Sequence, residues 1–337
     1  MNMQAAFYEL TGEAQDVLSV GNIPAPRPGR SEVLVRVHAS GVNPSDVKKR
    51  AGRMPAPAQY SRIVPHSDGA GVIEAVGEEV SKARIGQRVW LWNAQWQRPG
   101  GTAAELTAVP EVQAVALPDH VPFAEGACLG IPAETAWVAA MEGGPAPGRT
   151  VLVHGGAGAV GLLTVAIAAE AGARVIATAS TNEKAAIAKR AGAELVIRYR
   201  DTDTAAAVLE FTGGNGVDHI VDVDFGANWQ VNAVAIAPNG SIAAYSAPSA
   251  PVFQMDYYAF AAKAARLRFV QVYLLPPDER RRAIAGIDRL LRAGRLPIRV
   301  ARRFPLDEIV AAHELQESGS VIGNIVIDIA GDENAHT

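Results

Sequence analysis

Two patterns of apolar and polar positions divide the chain. Over the first 120 residues the apolar positions come in short bursts, such as 32–38 and 71–76, broken by Pro and Gly clusters like that at 24–29. This predicts a β-rich, irregular region without regular βα alternation. From Val151 onward the pattern becomes a strand at 151–154, a helix-length apolar run at 159–171 and a strand at 174–179. The alternation continues with a helix at 182–191, a strand at 194–197, a helix at 202–211, a strand at 217–223, a helix at 228–237 and a strand at 241–245. Apolar strands alternating with helices predict an α/β fold with a doubly wound parallel sheet buried on both faces. Gly172, Gly192 and Gly213 fall just past three of these helices, where glycine takes a left-handed cap most easily.

Beyond this run the spacing predicts a strand over 268–275, a basic amphipathic helix over 278–293, a helix over 306–317 and a strand over 324–329. The expected division is a β domain over 1–125, completed by 268–337, and a sheet-and-helix domain over 126–267. The run Glu279, Arg280, Arg281 and Arg282 reads either as a solvated helix face or as an anion-binding patch.

Composition narrows the function. With 337 residues, 49% of them hydrophobic and 20% charged, the chain has ample material for two cores. A formal charge of -4 gives no global reason to bind nucleic acid or an anionic membrane. Cys128 is the sole cysteine, which excludes an intrachain disulfide and a cysteine cluster for structural zinc, and a reducing cytoplasm is the expected location. Residues 1–12 lack a basic flank before an apolar core, so no secretory leader is expected. Apolar stretches such as 162–169 fall short of the roughly 18 residues a membrane span needs.

The chemistry concentrates where the predicted strand at 151–154 runs into Gly155, Gly156, Ala157, Gly158, Ala159, Val160 and Gly161. The GxGxxG spacing at Gly156, Gly158 and Gly161, between a strand and a helix, is a dinucleotide-binding signature. Glycines allow the tight turn and close backbone approach to a pyrophosphate, and free N–H groups at the helix start stabilise the anion. An NAD-preferring site would usually offer a carboxylate at the end of the second strand, about 20 residues on. Here that strand runs into Ser180 and Thr181, with Lys184 one turn into the next helix, a set suited to a 2′-phosphate. NADPH is therefore the expected cofactor, with Glu183 nearby as the residue that argues against it. Tyr199, between Arg198 and Arg200, either helps hold the adenosine end or is a surface tyrosine.

Three further segments carry a family resemblance over nearly the whole chain. Gly41-Val42-Asn43-Pro44-Ser45-Asp46 is similar to a GVNPxD motif, Pro65-His66-Ser67-Asp68-Gly69-Ala70-Gly71 to PGSDxAG, and Gly130-Ile131-Pro132-Ala133-Glu134-Thr135-Ala136 to GIPxxTA. Together with the glycine turn they resemble the zinc-free quinone oxidoreductase, or zeta-crystallin-like, branch of the medium-chain dehydrogenase/reductase superfamily. The resemblance implies a GroES-like β-barrel catalytic domain beside a Rossmann domain, with the cofactor in the cleft between them. It implies a homodimer or tetramer joined through the edge strand at 268–275. It also implies cofactor contacts from Asn43, Lys48, Thr135, Ala157, Gly158, Ala159, Val160, Ser180, Tyr199, Asn228, Tyr245, Ser246, Ala247, Gln271, Val272 and Tyr273, with Asn324 in a place where lysine or arginine is frequent.

Departures from the zinc-dependent relatives matter equally. Their metal-binding cysteine would stand at Asn43 and their histidine at Ser67, so neither catalytic nor structural zinc is expected. His66 is one position early and reads as a loop or cleft histidine or as an acid. Without a metal, hydride transfer to a quinone or enone rests on positioning, and on donors to the developing oxyanion. Asn43 and Tyr60 are the candidate donors, although Asn43 equally suits a turn before Pro44. Trp92 and Trp96 either line an aromatic-accepting pocket or cover the β-domain core. The competing readings are a zinc-free carbonyl or alcohol oxidoreductase, and a non-catalytic NADPH-binding protein that could also bind RNA.

Overall fold

The computed structural model describes residues 1–54, 60–144 and 147–329. The chain forms two compact units, one of Met1–Ile131 together with the segment from Ile298, the other Pro132–Pro297.

In the first unit, β1 (Asn2–Phe7) and β2 (Ser19–Pro24) flank the short helix α1 (Ala14–Val17) and pair antiparallel. β3 (Glu32–Val42) leads into α2 (Pro44–Arg50), and β4 (Asp68–Val76), β5 (Arg88–Leu91), β6 (Leu106–Pro110), β7 (Ala114–Ala116) and α3 (Phe123–Gly126) follow. Asn43 and Pro44 set the start of α2: Pro44 suits the first helical turn, and the Asn43 backbone N–H donates to Asp46 Oδ2 at 3.0 Å. Val33, Val35, Ile73, Val89, Leu91 and Val109 pack together from four strands into one buried cluster.

The second unit begins with α4 (Glu134–Met141) and then alternates strand and helix. Its elements are β8 (Thr150–Val153), α5 (Ala159–Glu170), β9 (Arg174–Ala179), α6 (Asn182–Arg190), β10 (Leu195–Arg198), α7 (Thr204–Phe211) and β11 (Val217–Asp222). They continue with α8 (Phe225–Ala235), β12 (Ile236–Ala244), α9 (Tyr257–Ala261), β13 (Arg266–Phe269) and α10 (Pro277–Arg292). The six strands are all parallel, in the order β10-β9-β8-β11-β12-β13. Counted from β8 as the first strand this is the 3-2-1-4-5-6 order of the dinucleotide-binding fold, reversing between β8 and β11. Gly172, Gly192 and Gly213 take φ of 83°, 115° and 60°, as expected of left-handed helix ends.

The chain then returns through β14 (Val300–Pro305), α11 (Ile309–Ser318) and β15 (Asn324–Asp328). β15 pairs antiparallel with β3 and parallel with β14, giving the order β14-β15-β3-β4-β5-β7, with β6 also on β3. β3 thus holds β6 along residues 32–36 and β15 along 39–42. The expected GroES-like β-barrel is this sheet together with the β1–β2 pair, stitched to it at the Ala5–Ala104 bridge.

The expected boundaries shift in two places. Residues 126–131 stay with the first unit, and 268–297 belong to the second, because α10 packs on α4 rather than on the β domain. The strand expected over 268–275 ends at Phe269; after it the chain turns through a short 3₁₀ segment, Val272–Leu274. Its apolar residues made it look longer, but only four positions find a partner strand. Among the described residues no helix is long and apolar enough to cross a membrane.

Gly71 shows how closely β3 and β4 approach. A Cβ there would lie 1.9 Å from the Arg36 carbonyl oxygen, and neither backbone can yield without breaking the ladder. Gly71→Ala is expected to lower unfolding free energy by about 3 kcal/mol or more, the upper range for overpacking, measured by denaturant titration.

Candidate functional site

The second unit places its sequence-predicted residues along one edge of the sheet. β8 ends at Val153 and enters the glycine turn; β9 ends at Ala179, before Ser180 and Thr181; β10 ends at Arg198, before Tyr199. β11 ends at Asp222, just before the helix that carries Asn228; β12 ends at Ala244, before Tyr245, Ser246 and Ala247; β13 ends at Phe269, before Gln271, Val272 and Tyr273. In a parallel sheet these are all carboxyl ends, so one sheet edge gathers residues spread over more than 110 positions of sequence.

At the centre, between β8 and β11, the backbone leaves no room for side chains. A Cβ on Gly161 would lie 2.2 Å from the Gly155 carbonyl oxygen, and one on Gly156 would lie 2.7 Å from the Ala177 Cβ. Gly155 takes φ of 68°. Gly158, by contrast, would meet protein only at 3.4 Å, so the fold itself does not demand a glycine there. Thr178, which the sequence reading missed, fixes the turn: its Oγ1 accepts from Gly155 N at 3.0 Å and its carbonyl from Gly156 N at 3.0 Å. The first N–H groups of α5, at Ala159, Val160 and Gly161, have no partner within a helix and face an anion favourably. The turn therefore fits a pyrophosphate.

The neighbouring tips are polar but carry no carboxylate on β9. Thr181 caps α6, its Oγ1 accepting from Lys184 N at 3.2 Å. Arg198 is engaged by Asp201 and Asn182, while Tyr199 is half exposed. Between β8 and β11 lies a buried network that sequence gave no sign of. His154 Nε2 donates to Asn232 Oδ1 at 2.9 Å, Asn232 Nδ2 to Asp222 Oδ2 at 2.6 Å, and Asn228 Nδ2 to Asp222 Oδ1 at 2.8 Å. Asn228 is thus oriented by Asp222. Burial and the Asp222 carboxylate together keep the Tyr245 phenol protonated, its pKa well above the ordinary value. The run around Arg280 is neither a wholly solvated face nor an anion patch: Arg281 pairs with Asp278 at the surface, but Arg280 turns inward to Glu134. Thr135, the next residue of α4, is 5% exposed.

The first unit gathers the other candidates. Asn43 is buried, and its Nδ2 donates to Asp68 Oδ2 at 2.9 Å, which leaves it one further N–H. Asp68 also accepts from Ile131 N at 2.8 Å. Tyr60 gives its hydroxyl to the Gln97 carbonyl at 3.2 Å, so it is not the free oxyanion donor expected. That bond puts it against the loop holding Trp92 and Trp96, both half buried. Part of the stretch before it, 55–59, lies outside the described residues. Lys48 is half buried on α2. Asn324 opens β15 and its Nδ2 donates to the Arg299 carbonyl at 3.1 Å, a strand-pairing role.

Lys49 was missed because it sits in a run that reads as a helix surface. It is 2% exposed, and its Nζ donates to Gln95 Oε1 at 2.7 Å and Ser67 Oγ at 3.3 Å, with Asp46 Oδ1 at 3.5 Å. Burial lowers its pKa and Asp46 opposes the shift. It ties α2, the Ser67 loop and the tryptophan loop together with one ammonium.

His66 is fully buried at φ of 76°, and its proton can be assigned. Thr102 gives its single hydroxyl proton to the Asp68 carbonyl at 2.5 Å, so Ser40 donates to Thr102 at 2.7 Å and accepts from His66 Nδ1 at 2.8 Å. Burial, helped by the Lys49 charge, holds the His66 pKa near 3, so the ring is neutral and its Nε2 accepts from His313 Nε2 at 2.9 Å. Burial likewise holds His313 well below its ordinary value. Both rings are structural partners, which removes His66 from the candidate acids. Among the described residues no three His, Cys, Asp or Glu side chains are grouped to hold a metal ion.

Comparison with known proteins agrees with this architecture. Residues 29–119 match the alcohol dehydrogenase GroES-like domain family, and 159–288 the zinc-binding dehydrogenase family. A quinone oxidoreductase of Pseudomonas aeruginosa is 30% identical over 93% of this chain and 95% of its own. A phenolphthiocerol/phthiocerol polyketide synthase subunit of Mycobacterium tuberculosis is 32% identical over 93% of this chain, but the chain spans only 14% of that protein's length. Among solved structures, a mycobacterial protein complexed with NADPH superposes with a TM-score of 0.85 at 30% identity, covering 97% of this chain and 99% of its own.

The histidine pair generates a prediction. Both groups are neutral when folded, so their contribution is complete above the unfolded pKa near 6.5 and is lost as pH falls below it, for His66 toward about 3. Each should add about 1.4 kcal/mol per pH unit to the slope of stability between pH 6 and 5. His313→Gln is expected to reduce that slope by about one such increment, read from denaturant unfolding across this pH range.

Proposed function

Because this chain belongs to the quinone oxidoreductase branch of the medium-chain dehydrogenase/reductase superfamily, we propose that it is an NADPH-dependent enzyme that delivers hydride to a quinone or an α,β-unsaturated carbonyl. The observation that carries this reading is the single polar edge made by six parallel strands, with the glycine turn at its centre and hydroxyls in place of a carboxylate at the β9 tip. When bound, the dihydronicotinamide supplies the hydride. The residues of this chain bind and orient it. Gly156, Gly158 and Gly161 let the backbone approach the pyrophosphate, Ser180, Thr181 and Lys184 take the 2′-phosphate, and Thr135, Tyr245 to Ala247 and Gln271 to Tyr273 hold the remainder.

On the acceptor side, the remaining N–H of Asn43 is the donor best suited to a developing oxyanion, since Tyr60 is already engaged. The reaction proceeds without zinc in this reading. Where zinc-dependent relatives offer a thiolate and an imidazole, this chain has the amide of Asn43 and the hydroxyl of Ser67. The Lys49 ammonium, 3.3 Å from Ser67 Oγ, disfavours a second cation.

The unit is also proposed to form a homodimer through β13. Among the described residues that strand has β12 on one side only, and its open edge is flanked by exposed Leu267, Phe269, Tyr257 and Tyr258. An open apolar edge is stabilised by pairing with a second copy of itself.

Stopped-flow oxidation of NADPH and NADH, with quinones, enones and aldehydes as acceptors, tests the main reading. Consumption of NADPH with quinones or enones, unchanged by chelator, is expected; NADPH binding without turnover on any acceptor would favour the binding-protein reading. Ser180→Asp is expected to lower kcat/KM for NADPH by about tenfold or more and to raise it for NADH, a carboxylate repelling the phosphate but accepting from ribose hydroxyls. Phe269→Glu is expected to give monomers in analytical ultracentrifugation where the parent chain gives dimers.

A further inference from the structure

We propose that the buried pair of Glu134 and Arg280 is a positioning device, holding Thr135 on α4 and the turn at 271–273 in fixed register with each other. The inference rests on the reading above, in which those two segments contact the cofactor.

Arg280 lies in the first turns of α10 and is 5% exposed, while Glu134 is the first residue of α4 and is 1% exposed. The guanidinium uses both of its terminal nitrogens: NH1 donates to Glu134 Oε2 and NH2 to the backbone carbonyl of Val272. One rigid planar group therefore joins the start of a helix to the middle of a turn, 138 positions apart. Thr135 directly follows Glu134, and Gln271 and Tyr273 directly flank Val272. α4 packs on both α5, the helix that begins at the glycine turn, and α10. The pair thus connects the helix behind the glycine turn to the tip of the last strand.

Stability alone does not account for the pair. Burial raises the Glu134 carboxyl above its ordinary value while Arg280 opposes that shift, and Glu134 Oε1 is buried without a hydrogen-bond partner among the described residues. Removing two charges from water at such a site offsets most of their attraction, and two apolar side chains would pack as well. What apolar side chains cannot do is hold the Val272 carbonyl by a directed hydrogen bond. The neighbouring Arg281 and Arg282 are exposed, so α10 itself does not require the inward arginine.

The test compares Arg280→Met, Arg280→Lys and the double variant Glu134→Leu/Arg280→Met with the parent enzyme. Readouts are thermal midpoint, amide hydrogen exchange over 270–275 without cofactor, and KM for NADPH and for one quinone. Arg280→Met alone should be destabilised by the buried Glu134 carboxyl and Val272 carbonyl it leaves unpaired. In the double variant the thermal midpoint should recover. Exchange over 270–275 should nevertheless stay faster than in the parent, and KM for NADPH should stay about tenfold higher with KM for the quinone unchanged. Recovery of the parent's exchange and NADPH KM together with its stability would overturn the proposal, because the pair would then serve packing only. If the double variant does not fold, Arg280→Lys decides, since it keeps the charge but loses the fork: parental exchange and KM there would overturn the proposal equally. A parent enzyme that ignores NADPH would sink the functional reading, and exchange over 270–275 would still show whether Arg280 holds the turn.

Discussion

The backbone contact between Gly155 and Gly161 governs the second unit. With 2.2 Å between the Gly155 carbonyl oxygen and where a Gly161 Cβ would be, α5 can start only if position 161 lacks a side chain, while Gly155 answers to its φ of 68°. That contact brings the helix start directly over the end of β8. Gly156 repeats the constraint against β9, and the two bonds from Thr178 lock the turn to the strand beside it. The other strand tips then fall along the same edge because parallel strands with right-handed crossovers must end on one side. A site for an anion at the start of α5 follows from backbone geometry before any side chain is considered.

The first unit is organised by polar groups that are buried together. Asn43, Asp46, Lys49, Ser67, Asp68 and Gln95 share hydrogen bonds in its interior, and Ser40, Thr102, His66 and His313 extend the set in one direction. Each donor's direction is fixed by the one before it, ending in the two neutral imidazoles. Such a network fixes loops more sharply than apolar packing does, since a misplaced member leaves a buried polar atom unpaired. It is the reason the tryptophan loop is held rather than free: Lys49 reaches Gln95, and Tyr60 reaches Gln97.

The same logic distinguishes polar groups that orient other groups from those that meet a ligand. Asp222 orients Asn228 and Asn232, Arg280 orients Glu134 and Val272, and Lys49 orients two loops. All three act through buried, directed bonds from interior positions.

What the sequence determined by itself is local. Helix and strand periodicity located the alternating elements from Thr150 to Ala244 to within a few residues, and glycine spacing identified the turn, because both depend on neighbours within one helical turn or one strand. It also identified the β9 tip as lacking a carboxylate. Only the tertiary structure decided which charged residues turn inward. Arg280 and Lys49 lie in basic runs that look solvated, and their partners Glu134 and Gln95 are remote in sequence. His66 meets His313 across 247 positions, and nothing local marks either as a partner. The length of β13 and the assignment of α10 were likewise decided by which surface was available to pair or pack against, a property of the assembled fold. Periodicity records which face of an element is apolar, whereas the pairing of a buried charge depends on the one distant residue that the fold brings within hydrogen-bond reach.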